Sequence, residues 1–365
     1  MSRQDNWLKE EEEGKLPKKC IVLLFDGTWN VPAASVPSGT ENASNIYRIW
    51  RGMGGSELDS YPASLESTEE TAFGSLFYIR GVGTSGSKYQ EAVQAITGSG
   101  VIERIAIAYR WFCQTYVPGS TVAVFGFSRG AFSARSFCGL LNSLGVPEHE
   151  ITLDQAKNAV NKYLDGGTSG SPVPIQYLGI FDTVGATVER ELEHHLSPSN
   201  VKFARHAMAI DETRKSYLPC FWHQPESQTN IREAWFTGSH SNVGGGYPNK
   251  HLSNIAQFWI LKGLERSGIQ IHYPDFAGFD GEKVGEGLID SWRGWIHKLP
   301  PISKAIANGF KIHWRRREIQ QHHSIHESVF EAMGAIQTYL PKATLSGSPL
   351  SRDLQKTHLA PWEFH

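Results

Sequence analysis

STVAVFGFSRGAFSARSFCGLLNSLG, residues 120–145, reads as a short buried strand running straight into an amphipathic helix. Val122, Val124 and Phe125 supply the apolar strand, and Phe132, Ser133, Phe137, Leu140, Leu141 and Leu144 recur at the spacing of one helix face. Between them lies Gly126-Phe127-Ser128-Arg129-Gly130, a G-x-S-x-G pentapeptide at the junction. A serine on so tight a turn lifts its hydroxyl clear of the sheet edge. The residues two before and two after it must then be small, because strand and helix nearly touch there. The helix N-terminus adds a positive dipole end and N–H groups suited to a developing oxyanion. The bare pentapeptide also arises by chance as an inert Gly-Ser turn, so the flanking strand and helix carry the reading.

Upstream, Cys20-Ile21-Val22-Leu23-Leu24-Phe25 is apolar throughout and predicts a central strand buried on both faces. It ends in Asp26-Gly27-Thr28-Trp29-Asn30, a turn at the strand edge where open α/β sheets bind ligands. Gly27 or Thr28 could give a backbone N–H to an oxyanion hole, and Asp26 and Trp29 belong to the same candidate substrate loop. Residues 31–44 read as loop, a helix starts within Asn45–Trp50, and Leu76–Ile79 form a second strand that stops at Gly81-Val82-Gly83-Thr84. Residues 100–116 form an amphipathic helix leading into the serine strand. That order of strand, helix and strand predicts a mostly parallel sheet of βαβ units.

Downstream, a helix over Leu153–Leu164 precedes a strand over Pro174–Phe181, which stops at Asp182-Thr183-Val184-Gly185. Its carboxylate falls on the same sheet edge as Ser128. His206–Arg214, with Asp211 and Glu212 followed by Arg214, suggests a salt-bridged helix start. Ala234–Gly238 is the last core strand and runs into Ser239-His240-Ser241-Asn242-Val243-Gly244-Gly245-Gly246-Tyr247. His240 comes directly after that strand, and the glycines beyond it suit a loop whose backbone a ligand approaches closely, with Asn242 and Gly244 as candidate loop residues. Leu252–Leu264 reads as a helix.

Ser128, Asp182 and His240 thus occur in the chain order of α/β-hydrolases, distinct from the chymotrypsin and subtilisin orders. A serine hydroxyl attacks at neutral pH only when a base takes its proton, and imidazole titrates in the right range. The carboxylate would fix the imidazole tautomer, and the N–H groups of Arg129 and of the Asp26–Trp29 loop would hold the oxyanion. Asp211 is the reserve acid and His326 the reserve histidine.

Composition sets the remaining bounds. The chain has 365 residues, 40% of them hydrophobic, with a net charge of −2, so it can build a sizeable core and gives no electrostatic case for nucleic acid. Cys20, Cys113, Cys138 and Cys220 are widely spaced in apolar surroundings and read as free buried thiols. No apolar run approaches a membrane span, and the acidic start (Glu10–Glu13) is unlike a signal peptide, so a cytoplasmic protein is expected. The expected layout is a polar arm over 1–17, one α/β domain over 18–345 and an irregular tail over 346–365. Within the domain, residues 270–330 read as a peripheral helical insertion or lid. There Trp292, Trp295, Ile296 and Leu299 fall at helical spacing before a basic run of Lys311 and Arg315–Arg317. This insertion is read chiefly as packed with a solvated charged face, with transient contact to a membrane surface as the alternative. His322, His323 and His326 lack an acid or cysteine to complete a metal set, and no cofactor is predicted.

The strings FDGTWN, IRGVGT, GFSRGAFSAR, GIFDTVGA, HAMAIDETR, WFTGSHSNVGGGYP and IHESV, in this order, resemble the DUF2235 family, which includes the catalytic domain of Tle1-type phospholipase effectors. The resemblance spans roughly residues 19–345 and implies an α/β-hydrolase fold with a serine esterase or phospholipase site. Carried onto this chain, the family pattern makes Ser128 the serine, Asp182 the acid and His240 the histidine. Many members have Asp where this chain has Asn242, which raises the question of which acid orients the histidine here. The expected function is hydrolysis of carboxylic esters, with a lipid or phospholipid substrate implied only by the resemblance. An acyltransferase or thioesterase using the same serine is the second reading, and a non-catalytic binding protein on the same fold the third.

Overall fold

Cys20–Phe25 forms strand β1, and its alternating side chains feed both faces of the sheet. Ile21, Leu23 and Phe25 enter one core cluster, and Val22 and Leu24 enter the other. A strand flanked by apolar layers needs an apolar residue at every position, which is why the run shows no alternation. The computed structural model describes residues 20–27, 43–58, 65–81, 99–185, 199–222, 230–271, 316–320, 323–335, 340–345 and 347–350.

The other strands are β2 (Glu66–Glu70), β3 (Ser75–Ile79), β4 (Thr121–Phe127), β5 (Ile175–Phe181), β6 (Val201–Ala209), β7 (Ile231–Phe236), β8 (Glu318–Ile319), β9 (Ser324–Ile325), β10 (Thr344–Leu345) and β11 (Ser348–Pro349). The helices are α1 (Asn45–Gly52), α2 (Ser99–Thr115), α3 (Arg129–Leu144), α4 (Leu153–Leu164), α5 (His240–Gly244), α6 (His251–Arg266) and α7 (Glu327–Ala335). The main sheet runs β2-β3-β1-β4-β5-β6-β7-β9. Only the edge strand β2 is antiparallel, to β3, and all other pairings in this sheet are parallel. Residues of α2, α3 and α4 pack on one face, and residues of α1 and α6 on the other. This is an α/β-hydrolase-like fold. Strand β4 lies centrally, and its carboxyl end is flanked by those of β1 and β5.

One expected element needs correction. His206–Arg214 does not begin a helix; His206 lies within β6, Ile210 and Asp211 form the turn after it, and Glu212–Arg214 follow that turn. Arg205 and His206 break the apolar pattern of β6, yet both are buried on dedicated partners. Arg205 donates to the Trp259 carbonyl, with its guanidinium 4.7 Å from the Trp259 ring centroid, and His206 meets Glu233 at 2.9 Å. Strand β2 (ESTEE) carries no apolar signal because it is a half-exposed edge, and its glutamates discourage pairing with another sheet.

Within the described part of the 270–330 stretch, β9 joins the edge of the main sheet beside β7, and β8 joins β10 and β11 in a small second sheet. Pairing of Ser348–Pro349 with Thr344–Leu345 likewise gives the start of the expected irregular tail a strand. The arm 1–17, residues 272–315 with Trp292, Trp295, Ile296, Leu299, Lys311 and Arg315, residue His322 and the tail from 351 lie outside the described residues. Among the described residues, no helix is long and apolar enough to cross a membrane.

Candidate active site

Ser128 occupies the turn between β4 and α3 with φ 59° and ψ −125°, a backbone region that non-glycine residues rarely adopt. The turn is fixed from both sides. Ser128 N–H donates to the Phe181 carbonyl at 3.0 Å, and the Ser128 carbonyl accepts from Phe132 N–H at 3.2 Å. The two flanking glycines are steric requirements. A methyl on Gly126 would stand 2.5 Å from the Ala131 Cα, and one on Gly130 would stand 2.3 Å from the Phe25 carbonyl oxygen. Helix α3 therefore starts in direct backbone contact with β1 and β4, and Ser128 is forced out at their edge. Arg129 is the first residue of α3.

Asp182 is the residue immediately after β5, fully buried, with φ 41°. Its Oδ2 accepts from His240 Nδ1 at 2.6 Å, and its Oδ1 accepts from Ala209 N–H at 2.9 Å. A guanidinium absent from the sequence expectation completes the set: Arg317 donates to Oδ1 at 2.5 Å and to Oδ2 at 2.9 Å. Burial alone would push this carboxyl up, but Arg317 and the His240 bond outweigh it and hold the group well below the usual carboxylate range.

His240 opens α5 rather than sitting on an open loop. Its ring lies against Phe127 (centroids 4.7 Å apart, 32° between planes) and edge-on to Tyr217 (4.8 Å, 84°). With Nδ1 donating to the ionised Asp182, the neutral ring presents Nε2 as its acceptor. Burial pulls the His240 pKa below its ordinary value, partly opposed by the bond to Asp182. Among the described residues no hydrogen bond joins His240 to Ser128 Oγ, a contact that often tightens only when substrate is bound.

A second buried pair lies behind the ring. Glu212 Oε1 and Oε2 accept from Arg214 Nε at 2.9 Å and Nη2 at 2.7 Å, and Glu212 Oε2 also accepts from His240 N–H at 3.3 Å. Arg214 lies 3.6 Å from the Tyr217 ring centroid, so it supports the aromatic wall against His240. Burial pushes the Glu212 carboxyl up, but Arg214 reverses this and brings it down to about 2. A carboxyl depressed on folding adds stability that is fully present above its unfolded value and is lost as pH falls. Glu212→Gln is therefore expected to cost on the order of 3 kcal/mol at neutral pH. It should also flatten the loss of stability between about pH 4.5 and pH 2, as read by urea melts across that range.

A model of the family described as "T6SS, Phospholipase effector Tle1-like, catalytic domain" matches residues 19–166 and 149–263. The chain belongs to this Tle1-like family. The match stops at residue 263, so the strand and helix that contain IHESV lie beyond it. The Tle1-like chain is 24% identical over 246 residues to an uncharacterised protein of Saccharomyces cerevisiae, YEL023C. That match covers 57% of this chain and 33% of the yeast protein, so the chain aligns with about a third of that relative. Among solved structures it is similar to an uncharacterised Pseudomonas aeruginosa protein (16% identity, TM-score 0.45, covering 83% of this chain and 54% of that one). It is also similar to the Tle1 effector bound to the VgrG spike from the type 6 secretion system (20% identity, TM-score 0.32, 63% and 52%).

Other expected site residues of this Tle1-like domain take structural positions. Asn242 Oδ1 accepts from Ser239 N–H at 2.9 Å and Ser239 Oγ at 2.8 Å, capping α5. Gly244 meets no open space for a ligand, because a methyl there would lie 1.9 Å from the Phe127 ring. Asp26 is buried and accepts from Ser44 Oγ at 2.8 Å and Tyr78 Oη at 2.5 Å, which ties β1, β3 and α1 together. Gly27 N–H is held by Asp26 Oδ1 at 2.6 Å, so it is not presented as an oxyanion donor. Thr28 and Trp29 lie outside the described residues.

The reserve residues also have other partners. Asp211 accepts from Gly238 N–H at 2.8 Å and Lys342 N–H at 3.0 Å. His326 stacks on Phe236 with centroids 4.3 Å apart, and burial brings its pKa down to about 3. His323 joins a buried acid–histidine group that sequence reasoning missed. His206 Nε2 accepts from Thr183 N–H at 3.1 Å, so its Nδ1 donates to Glu233 at 2.9 Å. His323 Nδ1 accepts from Trp235 Nε1 at 3.1 Å, leaving Nε2 facing Glu233 Oε2 at 3.4 Å. Through Thr183 this group braces the turn that carries Asp182.

Proposed function

We propose that the protein is a serine esterase of the lipase type, in which Ser128 is the nucleophile, His240 the base and Asp182 the acid that orients it. The observation that carries this reading is the pairing of a strained serine turn with an Asp182–His240 bond of 2.6 Å on one sheet edge. Such strain persists only where the surrounding structure enforces it, and it clusters at reactive positions. Ser128 Oγ attacks the ester carbonyl carbon as its proton passes to His240 Nε2. The carbonyl π electrons move onto oxygen, where the Arg129 N–H stabilises them. Collapse of the intermediate breaks the bond to the leaving alcohol, which takes the proton from His240. A water, deprotonated by the same imidazole, then releases the acid and restores Ser128.

Family membership supports a lipid ester, and with it transient contact with a lipid surface, as the substrate setting. The test is labelling by a fluorophosphonate, which requires an activated serine whatever the natural ester. Wild type is expected to label, and His240→Ala to label at least about 10³-fold more slowly. Hydrolysis of short-chain esters and phospholipid vesicles would then rank substrates. A folded wild-type protein that stays unlabelled with detergent and lipid present would overturn the reading.

A further inference from the structure

Arg317 is 1% exposed, although it ends a basic run whose composition suits a solvated face. One guanidinium spans three segments. Nη1 donates to Asp182 Oδ1 at 2.5 Å and to the Ala209 carbonyl at 2.8 Å, while Nη2 donates to Asp182 Oδ2 at 2.9 Å and to the Tyr217 carbonyl. The backbone delivering it is pinned in turn, because Thr344 N–H donates to the Arg317 carbonyl at 2.9 Å. Oδ2 is shared between Nη2 and His240 Nδ1, so the fork leaves the imidazole one direction of approach. Tyr217, whose carbonyl the fork also holds, lays its ring against the same imidazole.

We propose that Arg317 is a positioning residue of the site. It locks the plane of the Asp182 carboxylate and offsets its charge, so that His240 remains an unprotonated base into mildly acidic solution. This rests on the reading of His240 as base. Charges reach the imidazole from Asp182 at the end of β5 and from Glu212 and Arg214 in the segment after β6, and Arg317, from the segment of β8, is paired with Asp182. Tyr217 faces the ring, Tyr247 lies near Arg214 and Glu212, and neutral His206 lies near Asp182 on the side of β6. Two anions are thus matched by two cations. Removing Arg317 leaves one negative charge in excess, which favours the imidazolium and raises the His240 pKa.

The experiment uses the full chain with Arg317→Met, which keeps the bulk and removes charge and donors, and Arg317→Lys, which keeps the charge. The His240 pKa is tracked by NMR of its imidazole, and fluorophosphonate labelling and short-chain ester hydrolysis are measured against pH. In Arg317→Met the His240 pKa and the acid limb of the rate profile are expected to rise together by about one unit. The plateau rate should fall at least about tenfold, with KM changed less than about twofold. Arg317→Lys should hold the acid limb near wild type yet lose plateau rate, because a lysine cannot make the fork. A folded Arg317→Met that titrates and reacts as wild type overturns the proposal. If that variant does not fold, an Arg317→Lys protein with the wild-type plateau overturns it. If wild type never labels, the esterase reading fails instead, and the NMR titration still decides whether Arg317 sets the His240 pKa.

Discussion

Ser128→Gly is expected to give a protein that no longer labels or cleaves esters yet melts a few degrees above wild type. At φ 59° and ψ −125°, a side chain strains the backbone by about 1–3 kcal/mol, and glycine relieves most of that strain. Glycine returns about 0.5–1 kcal/mol of this through the greater freedom of the unfolded chain. A net gain of about 1 kcal/mol corresponds to roughly 2–4 °C in a large domain. Loss of the hydroxyl removes the nucleophile, and rates should fall by about 10⁴-fold or more. Thermal melts and an ester assay on the same preparation test both halves. A melting point below wild type would show that the hydrogen bonds to Phe181 and Phe132 hold the turn without stored strain.

Asp182→Ala carries the second large effect, and it falls on rate and stability together. Losing the carboxylate frees the imidazole tautomer, which typically costs about 10⁴ in rate. It also leaves the Arg317 guanidinium buried without its anion, and breaking a buried pair from one side costs about 3–5 kcal/mol. The double variant Asp182→Ala with Arg317→Met separates the two losses. It is expected to recover much of the stability, because no unpaired charge remains, and none of the rate. Urea melts of the two single variants and the double complete the cycle. Additive destabilisation would mean that the pair is only two independent polar contacts.

The residues legible from sequence share a local signature. The apolar runs ending at Phe25, Phe127, Phe181 and Phe236 mark core strands, and each gives way to a short polar turn, so Ser128, Asp182 and His240 stand out. Arg317 has no such signature. Its neighbours in sequence are charged, and its partner lies 135 residues earlier, so only the folded chain shows that it turns inward. Strand β6 is obscured for a related reason: Arg205 and His206 are tolerated inside it by Trp259 and Glu233, both remote in sequence. The glycines after His240 are legible as a close approach. The group that approaches Gly244 is Phe127, the residue beside the serine, and not a ligand.

The long span between Asp182 and Arg317 also bears on how the molecule is made. Contacts between residues far apart in sequence close loops of high entropy and form late in folding. A chain leaving the ribosome presents Ser128, Asp182 and His240 well before it presents Arg317 and the strands β8 to β11. In that interval Asp182 lacks its counter-ion, and Tyr217 lacks the donor that holds its carbonyl. The sheet can assemble first, but the edge that carries Asp182 is finished only when the segment of Arg317 docks.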